Sequence, residues 1–176
     1  AGITSMNFSQ YTLASHVFSG GGIELSPKNF KFSAMYGRLK KAVEYDVENS
    51  SDALMSYKRM GWGGAAGYEK NGTGIKLIYF AAKDDPKSLV FFPINTTVTP
   101  MQNAVVSIAG KTNLYKKIKL EAEYALSGLT RNTTSPEDVN TPSKKKMASF
   151  FIPHASAQFF EAFKSSIGWN YKIFGI

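Results

Sequence analysis

The amino-acid sequence predicts an all-β protein made of antiparallel transmembrane β-barrel strands, about eight of them in an up-and-down meander. Segments of about ten residues alternate between apolar and polar side chains, as strands with two different faces do. Tight turns and long polar connections alternate between these segments. No window contains the roughly 18 consecutive apolar residues that a membrane-spanning helix needs. An aromatic content of 14% and 15 glycines also favour strands and tight turns over helices.

The clearest predicted strand is Ile118–Gly128, in which Ile, Leu, Ala, Tyr and Leu alternate with a second series of side chains. That second series includes Lys119, Glu121 and Glu123. The same period of two predicts seven further strands along the chain. They are Ile3–Phe8, Val17–Leu25, Phe30–Gly37, Arg59–Tyr68, Ile75–Lys83, Ala104–Thr112 and Ala157–Trp169.

Two of the predicted strands have a helical alternative. The segment Lys117–Leu129 is rich in helix-forming residues, and apolar residues recur in it at helical spacing. The segment Phe159–Ile167 shows the same ambiguity. We predict strands at both places, because the neighbouring segments are strand-like and leave nothing else for these segments to pair with.

The connections between the strands fall into two classes that alternate along the chain. Four are tight, and Asn71-Gly72 within one of them is the typical sequence of a two-residue hairpin. The tight connections are Ser26–Asn29, Lys70–Thr73, Asn113–Lys116 and Asn170–Lys172. The long polar connections are Tyr45–Ser56, Asp84–Asn103 and Thr130–Ser156. Transmembrane barrels have this alternation, because their periplasmic turns are short and their outer loops are long.

The two faces of the predicted strands differ in chemistry. One face is rich in Phe, Tyr, Ala, Leu and Ile, which suits contact with lipid. The other is predicted to face a lumen, which is either a polar channel or a plugged, salt-bridged interior. The candidate lumen-facing residues are Lys31, Arg59, Lys76, Lys119, Glu121 and Glu123. The candidate aromatics of the membrane–water interfaces are Trp62, Tyr68, Tyr79, Tyr115, Trp169 and Tyr171.

The glycines suggest a further feature of the predicted wall. Gly20, Gly21 and Gly22 follow no strand–helix pattern, so they do not form a phosphate-binding loop. These glycines, like Gly61 and Gly63, are expected to permit strong strand curvature or close packing of a plug against the wall.

Side chains that carry enzymatic chemistry are few. There is no Cys, and the two His residues, His16 and His154, lie in or beside predicted loops. Asp84-Asp85 and Glu137-Asp138 are paired carboxylates on long loops, without the ligand spacing of an EF-hand. We therefore predict that the protein is not an enzyme, and we assign no catalytic, cofactor-binding or metal-binding residue.

Two runs of the sequence are distinctive, Phe32–Arg38 and Ala82–Pro86. Together with other runs they resemble the early barrel region of a large, functionally uncharacterised outer-membrane β-barrel protein family of Bacteroidota. The resemblance covers nearly the whole chain and implies a longer barrel, with strands before Ala1 and after Ile176. It transfers no functional residues. The other runs are Ser5–Ala14, Gly22–Leu25, Ala42–Glu44, Lys58–Gly63 and Val98–Asn103.

We therefore expect residues 1–176 to be a single barrel segment in the bacterial outer membrane, without an internal domain boundary. Its expected role is that of a barrel wall in a pore, a transporter or a scaffold for an outer-membrane complex. The expected partners are outer-membrane lipid and lipopolysaccharide, and the rest of its own barrel or other outer-membrane proteins; no nucleic acid is expected. The formal charge of +8 leaves one alternative, a soluble β-barrel that binds an apolar ligand or nucleic acid.

Overall fold

A computed structural model describes residues 2–45, 55–90, 98–114, 118–134 and 158–169, the last range by its backbone alone. These residues form one antiparallel sheet of eight strands, arranged in the order in which they follow one another along the chain. The sheet confirms the predicted all-β meander. The strands are β1 (Gly2–Met6), β2 (His16–Leu25), β3 (Phe30–Lys40), β4 (Arg59–Lys70), β5 (Thr73–Asp84), β6 (Gln102–Leu114), β7 (Ile118–Thr130) and β8 (Gln158–Trp169).

Both segments with a helical alternative are strands. β7 pairs with β6 from Leu114↔Ile118 to Gln102↔Thr130, and β8 pairs with β7 along its length. Backbone pairing on both sides of β7 outweighs the helical propensity of its residues, because tertiary context overrides a weak local preference. Among the described residues β1 and β8 do not pair with each other, so the sheet is open between them.

The antiparallel order places all the short connections at one end of the sheet and all the long ones at the other. Residues 26–29, 71–72 and 115–117 link strands at the short end. Residues 7–15, 41–58, 85–101 and 131–157 link strands at the long end. The predicted alternation of short and long connections is therefore confirmed for the connections that link these eight strands; the predicted tight connection Asn170–Lys172 lies outside the described residues.

The tightest turn follows from its two residues. Asn71 and Gly72 have φ angles of 52° and 78°, and Lys70 pairs directly with Thr73. Two successive positive φ angles define the turn that matches the right-handed twist of a hairpin, and Asn followed by Gly adopts them most readily. This turn sets the register of β4 against β5 over the whole length of both strands.

The register sorts the side chains into two faces, because directly opposed residues and alternate residues along a strand share a face. We call the face that carries Phe18, Met35, Ile78 and Phe80 the inner face, since these side chains are buried. The opposite face is called the outer face. In β1 to β7, all the large apolar side chains that are exposed lie on the outer face.

The buried core lies on the inner face, towards the end with the long connections. Phe18, Met35, Ile78 and Phe80 pack there with Met6. Phe8 and Leu13, from the connection between β1 and β2, complete the cluster and are almost fully buried. The core is therefore formed by one face of the sheet and by a segment folded back onto that face.

We expect Gly72→Ala to lower the free energy of unfolding by about 1 kcal/mol, because an L residue at φ 78° is strained. Gly67→Ala is the matched control. Gly67 lies within β4, and a methyl group there would make ordinary contacts, the nearest being 3.4 Å from the carbonyl oxygen of Ile75. Equilibrium urea unfolding measures both changes; a cost at Gly67 equal to that at Gly72 would contradict the assignment of the strain to the turn.

Candidate functional site

A row of charged side chains crosses the inner face near the short connections. Lys31, Gly67, Lys76, Ala109 and Glu123 stand side by side on five consecutive strands. Charged residues alternate with Gly or Ala along this row. The small residues leave room for the long side chains to extend across the sheet towards one another.

A second row, nearer the short connections, neutralises part of this charge. Glu69 accepts hydrogen bonds from Lys31 at 2.9 Å and from Lys111 at 2.7 Å, so one carboxylate bridges cations from β3 and β6. In β7 Lys119 pairs with Glu121 at 2.7 Å. The mixed charges of the inner face are thus organised as a network of ion pairs.

Two further polar contacts connect the network to the core. The Ser107 hydroxyl, which is buried, donates to the Glu123 carboxylate at 2.5 Å. The Lys76 ammonium donates to the backbone carbonyl of Phe8 at 2.7 Å. Lys76 is therefore held by the segment that folds over the core, whereas its charged neighbours are held by the sheet.

These side chains line a cavity of about 530 Å³. Three Lys and four Glu side chains contribute to its wall, with the backbone of small residues between them. A volume of this size suits a small molecule, and the balanced charges suit a polar or ionic one rather than an apolar one. The charged lining residues are Glu24, Lys31, Glu69, Lys76, Lys111, Glu121 and Glu123.

The ion pairs at the long end of the sheet have a different role. Arg59 donates two hydrogen bonds to Asp84, at 2.7 and 2.9 Å, and the Met101 amide donates to the same carboxylate at 2.9 Å. Asp85 pairs with Lys58 at 3.0 Å and accepts from the Lys87 amide, and these contacts lower the pKa of Asp85. The carboxylate pair Asp84-Asp85 is thus bound to cations of the protein itself, whereas Glu137-Asp138 lies outside the described residues.

The same ion pairs fasten two long connections to the sheet and to each other. Lys58 and Asp85 belong to the connections 41–58 and 85–101, where Met55, Tyr57 and Leu89 form a small buried cluster. Burial, together with the nearby Asp84 carboxylate, raises the pKa of the Tyr57 hydroxyl. The described parts of these two connections therefore form a packed rim.

The predicted lumen-facing residues share the inner face but do not form one site. Lys31, Lys76, Glu121 and Glu123 line the cavity, Lys119 lies beside it, and Arg59 stands apart at the rim. Sequence reasoning missed Glu24, Glu69 and Lys111. Glu24 and Lys111 lie within the predicted strands Val17–Leu25 and Ala104–Thr112, so following the alternation along these strands would have found both. Glu69 directly follows the predicted strand Arg59–Tyr68, so extending that strand by one residue would have included it.

The predicted interface aromatics that the structure describes lie on the outer face. Tyr68 is near the short connections and packs against Phe30, with ring centroids 5.1 Å apart. Trp62 and Tyr79 flank the buried residues Ala81 and Ala104, and Tyr79 occupies the central part of β5. Trp169 ends β8 and is described by its backbone only; Tyr115 and Tyr171 lie outside the described residues.

Comparison of the chain with protein-family models, curated proteins and solved structures finds no match. Within the described ranges, no group of three or more His, Asp or Glu side chains is placed to hold a metal ion. No helix in those ranges is long and apolar enough to span a membrane.

We expect Asp84→Asn to lower the free energy of unfolding by about 2–3 kcal/mol, because it leaves the Arg59 guanidinium without its buried anionic partner. Asp85→Asn is the control: the Lys58–Asp85 pair is 40% and 38% exposed, so its loss should cost less than about 1 kcal/mol. Urea unfolding of the two variants tests the difference. Similar losses would mean that burial does not distinguish the two pairs.

Proposed function

We propose that this chain forms part of the wall of a bacterial outer-membrane β-barrel, with its outer face in lipid and its inner face lining a polar lumen. The observation that carries the proposal is the segregation of side chains between the faces. The exposed side chains of Ile23, Phe32, Tyr36, Ile75 and Leu77 are all on the outer face. In water this arrangement would leave a wide apolar surface uncovered, whereas lipid covers it at no cost.

A continuous apolar band crosses the outer face, from the short-connection end of β2 to the middle of β7. The band is formed by register neighbours on six consecutive strands, Leu25, Phe32, Ala66, Leu77, Ile108 and Tyr124. In β1 to β7, the charged residues of the outer face are Arg38, Lys70 and Lys83, and all three lie near strand ends. Charges at the ends and none in the middle are what a lipid-facing band requires.

The lengths of the strands agree with this proposal. β4 and β5 have 12 residues each. At a rise of about 3.3 Å per residue such a strand is roughly 40 Å long. Tilted by about 45°, it crosses roughly 28 Å, close to the thickness of the hydrocarbon core.

The inner face supports the second half of the proposal. Its ion pairs and its cavity are polar, and charged side chains of both signs suit a lumen that passes or holds small hydrophilic solutes. The resemblance to outer-membrane barrels of Bacteroidota points to the same class of protein. In this proposal the remaining strands of the barrel, or a neighbouring outer-membrane protein, pair with the free edges of β1 and β8.

The lipid-facing surface is tested by placing a charge at the middle of one strand. Tyr124→Arg, in the apolar band, should lower the free energy of unfolding in lipid vesicles by roughly 2–4 kcal/mol. Glu121→Arg, on the inner face of the same strand, should cost clearly less, because the Lys119–Glu121 pair that it removes is 49% and 44% exposed. If the two variants unfold at the same urea concentration, β7 is not a membrane strand.

The orientation is tested by single cysteines, since the chain contains none. Val90 is 91% exposed in the long connection 85–101, and Lys70 is exposed beside the short connection 71–72. A membrane-impermeant maleimide should label Val90→Cys in intact cells, and label Lys70→Cys only after the outer membrane is permeabilised. Labelling of Lys70→Cys alone in intact cells would reverse the proposed orientation.

A further inference from the structure

The connection between β1 and β2, residues 7–15, does not extend away from the sheet but folds back onto the inner face. The side chains of Phe8 and Leu13 are 4% and 3% exposed. The Phe8 amide donates to the Leu13 carbonyl at 2.8 Å, and the hydroxyls of Ser9 and Thr12 are hydrogen-bonded at 2.9 Å. Residues 7–15, called the strap below, therefore form a compact turn with its own internal hydrogen bonds.

The inner face has a glycine, Gly63, at the place where the strap packs against the sheet. A Cβ atom on Gly63 would lie 3.1 Å from the ring of Phe8 and 2.6 Å from the carbonyl oxygen of Tyr79. Only glycine leaves room there for an aromatic ring to lie directly on the strand. This position agrees with the expectation that glycines permit a plug to pack closely against the wall.

The strap lies between two cavities of the inner face. The charged cavity of about 530 Å³ lies on its short-connection side and is lined by Asn7 at the start of the strap. A second cavity, of about 400 Å³, lies on its long-connection side. This cavity is lined by Thr12 and Leu13 of the strap, and by polar wall residues that include Arg59 and Asn103.

The boundary between the cavities is apolar. Phe8 and Leu13 of the strap meet Phe18, Met35 and Ile78 of the wall there. Water and ions pass an apolar constriction poorly, and channels use such constrictions as gates. The hydrogen bond from Lys76 to the Phe8 carbonyl joins the strap to the charged cavity at this boundary.

We propose that the strap is a gate for small hydrophilic solutes and ions, which closes the passage between the two cavities and is latched by Lys76. This proposal rests on the proposed membrane barrel. It adds the position at which the lumen is closed and the residues that close it. Loss of the latch or of the Phe8 ring should shift the strap towards an open position. A hydrogen bond from a charged donor to a carbonyl oxygen contributes enough free energy that its loss changes the population of the open strap roughly tenfold.

The test measures potassium chloride conductance of the full-length protein in planar lipid bilayers. Lys76→Met removes the charged donor of the latch and keeps an unbranched side chain one atom shorter, and Phe8→Ala removes the apolar seal. Each should raise the mean conductance roughly tenfold above that of the unaltered protein. Folding of Phe8→Ala is judged by heat-modifiable migration on gels. If this variant does not fold, the conductance of Lys76→Met alone tests the gate.

Lys31→Met is the matched control. Lys31 lines the same cavity and stands in the same row as Lys76, but it binds Glu69 and not the strap. Its conductance should therefore change much less than that of Lys76→Met, because one charge of the cavity is lost while the strap keeps its hydrogen bond to Lys76. Unchanged conductance in Lys76→Met and Phe8→Ala, or an equal rise in Lys31→Met, would overturn the gate and leave the barrel proposal standing. Failure of the unaltered protein to insert into bilayers would overturn both.

Discussion

The continuous antiparallel register from β4 to β7 is the constraint on which the rest of this structure depends. β4 and β5 pair at every position from Arg59↔Asp84 to Lys70↔Thr73. Because side chains alternate between the faces, a slip of one residue would move Lys76 to the apolar face and Leu77 to the inner face. The apolar band and the charged cavity therefore result from the same register.

The inner face combines charges and small residues in a way that brings opposite charges into contact. Glu69 has two cationic partners, and Lys76 has both a carbonyl partner and the field of Glu123 nearby. Lys31 and Lys111 remain 64% and 39% exposed, so each pair contributes little free energy, and the network mainly fixes one arrangement of its members. Gly67 and Ala109, between the charged residues, make this arrangement possible because they occupy little space.

The strands and turns were predictable from the sequence because their causes are local. Alternation identifies β7, and Asn71-Gly72 identifies the hairpin between β4 and β5, without any knowledge of distant residues. The strap was not predictable. The alternation includes Phe8 in the predicted strand Ile3–Phe8, whereas β1 ends at Met6, and the burial of Phe8 and Leu13 depends on Gly63 and Phe80, far along the chain. The pairing of Glu69 with Lys111 was missed for the same reason, because only the register of β4, β5 and β6 brings the two together.

The sorting of connections by length has a consequence for how the protein can change over time. A one-residue insertion within a strand would reverse the faces beyond it, so the strands tolerate almost no change in length. A flexible connection pays only about 0.6 kcal/mol for each doubling of its length. Insertions and deletions are therefore expected to accumulate at the end that carries residues 41–58, 85–101 and 131–157. Related chains should differ most there, while the short hairpins at the opposite end keep their length.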